Sequence, residues 1–146
     1  MANVFDVSKY ILEQINEMTV MKLQKLVYYS QAWSLVWNEN QLFNSEIQAW
    51  ANGPVTVELY NIHKGHFKIS AETLSKGDSN ILEAEEKAII DKVLDYYGDK
   101  TAQWLSDLTH MEQPWILAQN RGCVPANGFC QEPILISDMH EYYSGL

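Results

Sequence analysis

This sequence is short of basic residues, and of arginine above all. Its 146 residues hold 10 Lys and Arg against 19 Asp and Glu, so the formal net charge is −9, and Arg121 is its single arginine. Nucleic-acid affinity comes mostly from phosphate neutralisation by clusters of Lys and Arg, so this balance argues against DNA or RNA as the main partner. The same shortage argues against an anionic membrane surface.

Long apolar runs and cysteine are also scarce. No apolar stretch approaches the roughly 18 residues of a membrane-spanning helix, and the start of the chain lacks the basic and apolar segments of a signal peptide. Two cysteines, Cys123 and Cys130, are too few for a disulfide framework, and we interpret both as small hydrophobic side chains. These absences predict a cytoplasmic protein. Its length and its 47% hydrophobic content predict a single globular domain over residues 1–146.

The acidic residues are concentrated in the second half of the chain. Residues 1–75 carry 5 Lys and 7 acidic residues, a net −2, whereas residues 76–146 carry 5 basic and 12 acidic residues, a net −7. An acidic surface can steer a basic partner towards it. Ordinary solubility explains the same composition, and composition alone favours that explanation.

Hydrophobic periodicity predicts a mainly α, compact helical domain around a central buried helix. A first helix is expected over residues 7–18, with Asp6 as its N-cap, because apolar residues there recur on one helical face. A second helix is expected over residues 20–37. It is apolar all round, which is typical of a helix buried at the centre of a domain.

The rest of the chain predicts shorter elements. Leu42 and Phe43 could pair with the segment 47–50 around Asn44-Ser45-Glu46 as a small β-hairpin, although the second segment also suits a helical turn. An extended piece is expected at 67–69 and an irregular stretch at 122–133. Further helices are predicted over residues 54–64, 82–97, 101–108, 114–120 and 137–143.

No residue pattern predicts catalysis, a cofactor or a metal. His63 and His66 form an H-x2-H, but Gly65 interrupts the helical phase between them, and the cysteines lack the close pairing of zinc sites. The chain has no nucleophile elbow, no glycine-rich phosphate loop and no H-E-x-x-H. We therefore expect no cofactor, no metal site and no enzymatic activity.

Two features leave alternatives open. Lys22 and Lys25 lie on the apolar helix, where they either mark its narrow solvent edge or pair with an acidic group elsewhere in the fold. His110 lies between two predicted helices, where Thr109 or Glu112 would cap the second helix. Holding this turn through a backbone carbonyl is the favoured role of His110, and ligand binding is the alternative.

Several segments, taken in order, resemble a known family. They are MKLQKLVYYSQAW at 21–33, LF at 42–43, IQAW at 47–50, GPV at 53–55, LTH at 108–110 and PW at 114–115. Together they resemble the Panacea family, also described as SocA-like antitoxin domains or phage-associated GepA-like proteins. The residues that fall on the family motif are Lys25, Tyr28, Trp33, Trp50, Gly53, Pro54, Tyr60, Thr109, His110, Pro114 and Trp115.

The resemblance implies a small, mainly helical bacterial or prophage protein that neutralises a toxin encoded beside it by direct binding. One branch of the family delivers its toxin to a protease, so adaptor action is a variant of this hypothesis. The motif residues then build the scaffold or contact the partner, and the acidic second half suits a basic toxin. Two alternatives stay open: a mobile-element protein that binds a host factor, and a small-molecule binder centred on His110.

Overall fold

The computed structural model describes residues 1–123 and 130–146. Within these ranges the chain forms seven α-helices and two small antiparallel sheets of two strands each. The helices are α1 (Val4–Ile15), α2 (Val20–Trp37), α3 (Val57–His63), α4 (Ala84–Tyr97), α5 (Ala102–His110), α6 (Gln113–Gly122) and α7 (Ile136–Ser144). The strands are β1 (Met18–Thr19), β2 (Ile47–Trp50), β3 (Gly53–Thr56) and β4 (Lys68–Ile69). The prediction of a mainly α fold with a small hairpin is confirmed.

Helix α2 is the central element, as predicted. It packs against α1, α4, α5, α7 and β3, and Leu23, Leu26 and Val27 on it are fully buried. The Thr19 hydroxyl caps its start by accepting from the Lys22 N–H at 3.2 Å. A helix surrounded in this way buries its polar side chains as well as its apolar ones. Each buried polar group needs a hydrogen-bond partner, so such partners must lie beside α2.

Helix α1 spans Val4–Ile15, so it begins and ends three residues before the predicted range of 7–18. Asn3 is the N-cap, and its Oδ1 accepts from the N–H groups of Phe5 and Asp6 at 2.9 and 3.0 Å. The Asp6 carboxylate accepts in return from the Asn3 N–H at 2.9 Å, which completes a capping box. The assignment of Asp6 as N-cap is therefore wrong, because this residue fills the reciprocal position one turn further on.

The hairpin has a different partner strand from the predicted one. Strand β2 pairs with β3 around Ala51 and Asn52, with Ala49 opposite Pro54. The helix expected to begin at Pro54 is wrong, since α3 begins at Val57. An edge strand tolerates proline. The missing N–H would point away from the partner strand, so no hydrogen bond between the two strands is lost. Leu42 and Phe43 are instead buried in the core beneath α2.

Other boundaries agree with the sequence or differ from it by a few residues. The extended piece at 67–69 is confirmed as β4, which pairs with β1. Helix α7 begins at Ile136, so Ser137 is not its cap. Cys123 and Cys130 form a disulfide, which makes their interpretation as unbonded hydrophobic side chains wrong. Residues 124–129 of the predicted irregular stretch lie outside the described residues.

Candidate functional site

Lys25 is the most unusual side chain near the centre of the fold. It is 1% exposed on α2, and its Nζ donates one hydrogen bond, at 3.3 Å, to the Pro54 carbonyl oxygen. In the described ranges no carboxylate lies within 4.0 Å of this ammonium, and the sequence of 124–129 contains no Asp or Glu. Burial lowers the pKa of Lys25 to about 8. Both expectations for Lys25 are wrong, because it neither reaches solvent nor pairs with an acid.

Gly53 makes room for Lys25 beneath the hairpin. Its φ of +119° lies in the region that favours glycine. A Cβ atom at this position would lie 2.5 Å from Lys25 Cε and 2.9 Å from the Thr109 hydroxyl oxygen. The family-motif residues Lys25, Gly53 and Thr109 are thus brought together by close backbone approach.

Gln24 joins α2 to the end of the hairpin and to α3. Its Oε1 accepts from the Thr56 N–H at 2.8 Å, and its Nε2 donates to the Thr56 carbonyl at 3.1 Å. The second Nε2 hydrogen points to His63 Nε2 at 3.0 Å, so this ring nitrogen is the acceptor and Nδ1 carries the proton. Burial lowers the pKa of His63 and keeps the ring neutral. The Nδ1–H group is buried and has no acceptor among the described residues.

A cavity of about 220 Å³ lies between α2, the hairpin and α3, and we call it the Lys25 pocket. The rings of Trp50 and Tyr60 meet edge to face in its wall, with centroids 4.8 Å apart. Tyr60 makes a second edge-to-face contact with His63 at 5.5 Å. Its lining residues are Val20, Met21, Gln24, Lys25, Trp50, Ala51, Asn52, Val55, Tyr60, His63 and Cys130.

The junction of α5 and α6 holds the hairpin turn from the other side. His110 lies with Nδ1 2.5 Å from the Ser106 carbonyl oxygen and Nε2 2.6 Å from that of Ala51. A neutral ring donates through one nitrogen, so the tautomer decides which of the two carbonyls receives the hydrogen bond. The Trp115 indole N–H donates to the Trp50 carbonyl at 2.9 Å. His110 is therefore occupied by backbone groups and is not among the lining residues of the Lys25 pocket.

The remaining motif residues lie elsewhere. Tyr28 is buried on α2, where its hydroxyl hydrogen-bonds the Tyr143 hydroxyl at 3.0 Å. The Trp33 indole N–H donates to the Tyr97 hydroxyl at 3.1 Å. Pro114 is buried in the first turn of α6. Tyr28, Trp33 and Pro114 thus lie outside the group of motif residues around the hairpin, which consists of Lys25, Trp50, Gly53, Pro54, Tyr60, Thr109, His110 and Trp115.

Sequence reasoning missed the buried carboxyl of Glu112. Its Oε1 accepts from the hydroxyls of Tyr29 and Tyr143, both at 2.7 Å. Burial raises the pKa of Glu112, and the two hydrogen bonds oppose part of that rise. Glu112 occupies the N-cap position of α6, but its side chain makes no capping hydrogen bond.

Gln24 and His63 were also missed as site residues. A glutamine in a helix that is apolar all round indicates a buried amide, and a buried amide must find partners. That pattern was available in the sequence, but it does not say which residues the partners are. His63 is buried while His66 is exposed, so the H-x2-H pair is split between core and surface.

A second surface of interest lies along α4, and we call it the α4 face. It consists of the exposed residues Trp37, Asp91, Asp95, Tyr96 and Trp104. Lys92 lies over the Trp37 ring at 5.3 Å, and Lys100 lies over Trp104 at 5.1 Å. The exposed rings of this face are therefore contacted by lysine side chains, and Asp91 and Asp95 lie on the same helix as Tyr96.

Residues 23–116 match the family model described as antitoxin SocA-like, Panacea domain. The match covers more than half of the chain, so the protein belongs to the family of SocA-like Panacea domains. It begins within α2 and ends within α6, and so includes Lys25, the hairpin and the His110 junction. No curated protein and no solved structure matches the chain significantly. Across the described ranges, no helix combines the length and the apolar character needed to cross a membrane.

Proposed function

We propose that this protein is an antitoxin that neutralises a toxin encoded beside it by binding it directly. The observation that carries this proposal is the match of residues 23–116 to the antitoxin SocA-like Panacea domain. The partner is a protein, and neutralisation requires only that the complex covers the toxin surface responsible for toxicity. The mechanism is therefore occlusion, without a chemical step on the toxin.

The α4 face is the toxin-binding surface that the geometry favours. Trp and Tyr dominate the binding energy of protein interfaces, and here Trp37, Tyr96 and Trp104 are 47%, 62% and 41% exposed. Asp91 and Asp95 offset the positive charge of Lys92 and Lys100 over these rings, so the net −9 of the whole chain is what favours the approach of a basic partner. We expect a basic, partly apolar surface of the toxin to bind here.

Co-expression with the product of the adjacent gene tests the function. Induction of the neighbour alone should arrest growth, induction of both should restore it, and the two proteins should elute together. A harmless neighbour that never co-elutes would contradict the proposal.

The level of the toxin distinguishes occlusion from delivery to a protease. Under occlusion, the amount of toxin in the cell stays constant when the antitoxin is induced. Under adaptor action the toxin disappears, and it returns in cells that lack the protease. An immunoblot of the toxin in both strains separates these two outcomes.

A further inference from the structure

We propose that the Lys25 pocket binds a carboxylate carried on a short apolar body. The site is separate from the α4 face, and the proposal does not require the toxin to bind there. The carboxylate belongs either to a free small organic acid or to an Asp or Glu side chain of the protein partner.

The first argument is the state of the Lys25 ammonium. A buried charge is costly unless it is paired and fully hydrogen-bonded. Lys25 Nζ has three N–H donors, and one long hydrogen bond to the Pro54 carbonyl is the contact observed for it. Among the described residues no carboxylate lies within 4.0 Å of Lys25 Nζ, so an anion from outside would complete the site.

The second argument is a further unpaired donor in the same pocket wall. Gln24 uses both amide hydrogens, on Thr56 and on His63 Nε2, so the His63 Nδ1–H is left without an acceptor in the described structure. Lys25 thus has one acceptor for its three N–H groups, and the His63 Nδ1–H has none on another described residue. A carboxylate has two oxygen atoms that accept hydrogen bonds, whereas a cationic ligand would be repelled.

The size and walls of the pocket define the rest of the ligand. Val20, Met21 and Val55 supply apolar wall, and Trp50 and Tyr60 supply aromatic wall. The volume of about 220 Å³ is below the roughly 300–1,000 Å³ of sites for drug-sized ligands, so it suits a small acid or one side chain. One lysine balances one negative charge, which favours a carboxylate over a doubly charged phosphate in a chain of net charge −9.

A purely structural role for Lys25, in which its ammonium holds the hairpin through Pro54, makes the opposite prediction for one variant. Lys25→Met keeps a long unbranched stem and removes the charge. If the ammonium holds the hairpin, this variant loses stability. If the ammonium is instead an unpaired group that binds a ligand, the variant melts at the same temperature or a higher one, because an unpaired buried charge has been removed.

The test titrates acetate, butyrate and benzoate, each beside its neutral amide, into the isotope-labelled full chain. The indole N–H resonance of Trp50 in the NMR spectrum reports binding. At least one acid should give a saturable shift, with its amide at least about 10-fold weaker, and Lys25→Met should lose at least about 10-fold in affinity. Lys22→Met is the matched control, because Lys22 lies on the same helix and donates to the Gly98 carbonyl outside the pocket. If Lys25→Met fails to fold, the comparison of each acid with its amide on the unmodified chain still shows whether the pocket prefers a carboxylate.

Co-purification with the toxin identifies the source of the carboxylate. A partner side chain is the source if folded Lys25→Met loses the complex, Lys22→Met keeps it, and an acid that binds the pocket displaces the toxin. A free acid is the source if an acid binds and both variants keep the complex. The proposal is overturned if no acid binds in a Lys25-dependent way and Lys25→Met still forms the complex. If the unmodified chain binds no toxin at all, the proposed antitoxin function fails, while the titration still decides the pocket.

Discussion

At the scale of single residues, Lys25 and Glu112 are buried ionisable groups that form no salt bridge within the described ranges. Lys25 has a carbonyl as its partner, and Glu112 has two tyrosine hydroxyls. In each case burial disfavours the charged form: it lowers the pKa of Lys25 to about 8 and raises that of Glu112. Lys25 lies on α2 and Glu112 hydrogen-bonds Tyr29 of α2, so both ionisable groups are buried against the central helix.

Glu112→Gln should make the protein less sensitive to rising pH. The folded protein holds the Glu112 proton at a higher pH than the unfolded chain, whose carboxyl titrates near 4.5. Stability is therefore lost as the pH rises through the folded pKa, and the amide cannot ionise. Denaturant unfolding at several pH values should show the variant gaining stability relative to the unmodified chain as the pH increases. A difference independent of pH would contradict this, and Glu141→Gln, at an exposed position, is the control.

Gly53→Ala should destabilise the fold more than Gly65→Ala. Both glycines have positive φ, +119° and +91°, so alanine is strained at either position. Only at Gly53 does the new methyl group meet Lys25 Cε at 2.5 Å, whereas nothing lies within 4 Å of it at Gly65. We expect an additional loss of about 1–3 kcal/mol in the free energy of unfolding for Gly53→Ala. Equal losses in the two variants would show that the hairpin has room to move away from Lys25.

At the scale of elements, the hairpin β2–β3 is held by three helices that it does not adjoin in sequence. Gln24 of α2 binds the strand end at Thr56, and His110 and Trp115 of α5 and α6 bind the turn. A two-stranded hairpin is only marginally stable alone, so these side-chain contacts give it a fixed position. The position of the hairpin in turn forms one wall of the Lys25 pocket.

His110→Ala should loosen the hairpin turn. The substitution removes the ring that lies within hydrogen-bond distance of the Ser106 and Ala51 carbonyl oxygens, together with its edge contact with Trp115 at 4.1 Å. We expect a loss of about 1–3 kcal/mol in unfolding free energy. Hydrogen exchange should rise first in β2 and β3. His140→Ala, at a half-buried position on α7 whose ring contacts Glu39 and not the hairpin, is the control and should leave exchange in the hairpin unchanged.

Tyr96→Ala should weaken the complex with the toxin without changing the fold. Tyr96 is 62% exposed, so the unbound protein loses little packing when the ring is removed. If the ring is an interface anchor, affinity should fall at least about 10-fold. Phe67→Ala is the matched control, because this ring is 75% exposed and lies outside the α4 face. Equal binding by both variants would place the interface elsewhere.

At the scale of the whole molecule, charge and aromatic surface meet on the same side. The second half of the chain carries most of the −9 charge, and α4 displays part of it beside exposed rings. Charge accelerates and orients association, whereas rings supply most of the affinity. A toxin complex formed on this side should therefore respond to salt and to loss of aromatic side chains in different ways.

Raising the salt concentration from about 0.05 to 0.5 M should slow association with the toxin and weaken binding, because mobile ions screen exposed charges. The measurement is surface-based or calorimetric binding at several salt concentrations. Asp91→Asn with Asp95→Asn should reduce the salt dependence. If the affinity does not change with salt concentration, the aromatic rings account for the binding and the charge serves solubility alone.

The sequence by itself determined the features that depend on neighbours along the chain. The apolar circumference of Val20–Trp37 predicted a central buried helix, and Gly98 marked the end of α4, because helical periodicity and stop residues act locally. The ordered motif also indicated the family, to which residues 23–116 belong. The predicted helix starts were wrong where two local patterns competed. Pro54 suits a helix start as well as an edge strand, and Asn3 and Asp6 both suit a helix cap.

Only the tertiary structure decided what surrounds Lys25. Its contacts come from Gly53 and Pro54, and the neighbouring Gln24 binds His63 across 39 residues of sequence. A lysine on an apolar helix is equally consistent with a solvent edge, an ion pair or a buried site, because periodicity records which face is apolar and not what packs against it. The close approach of the hairpin buries Lys25 and places this family-motif residue in the wall of a cavity.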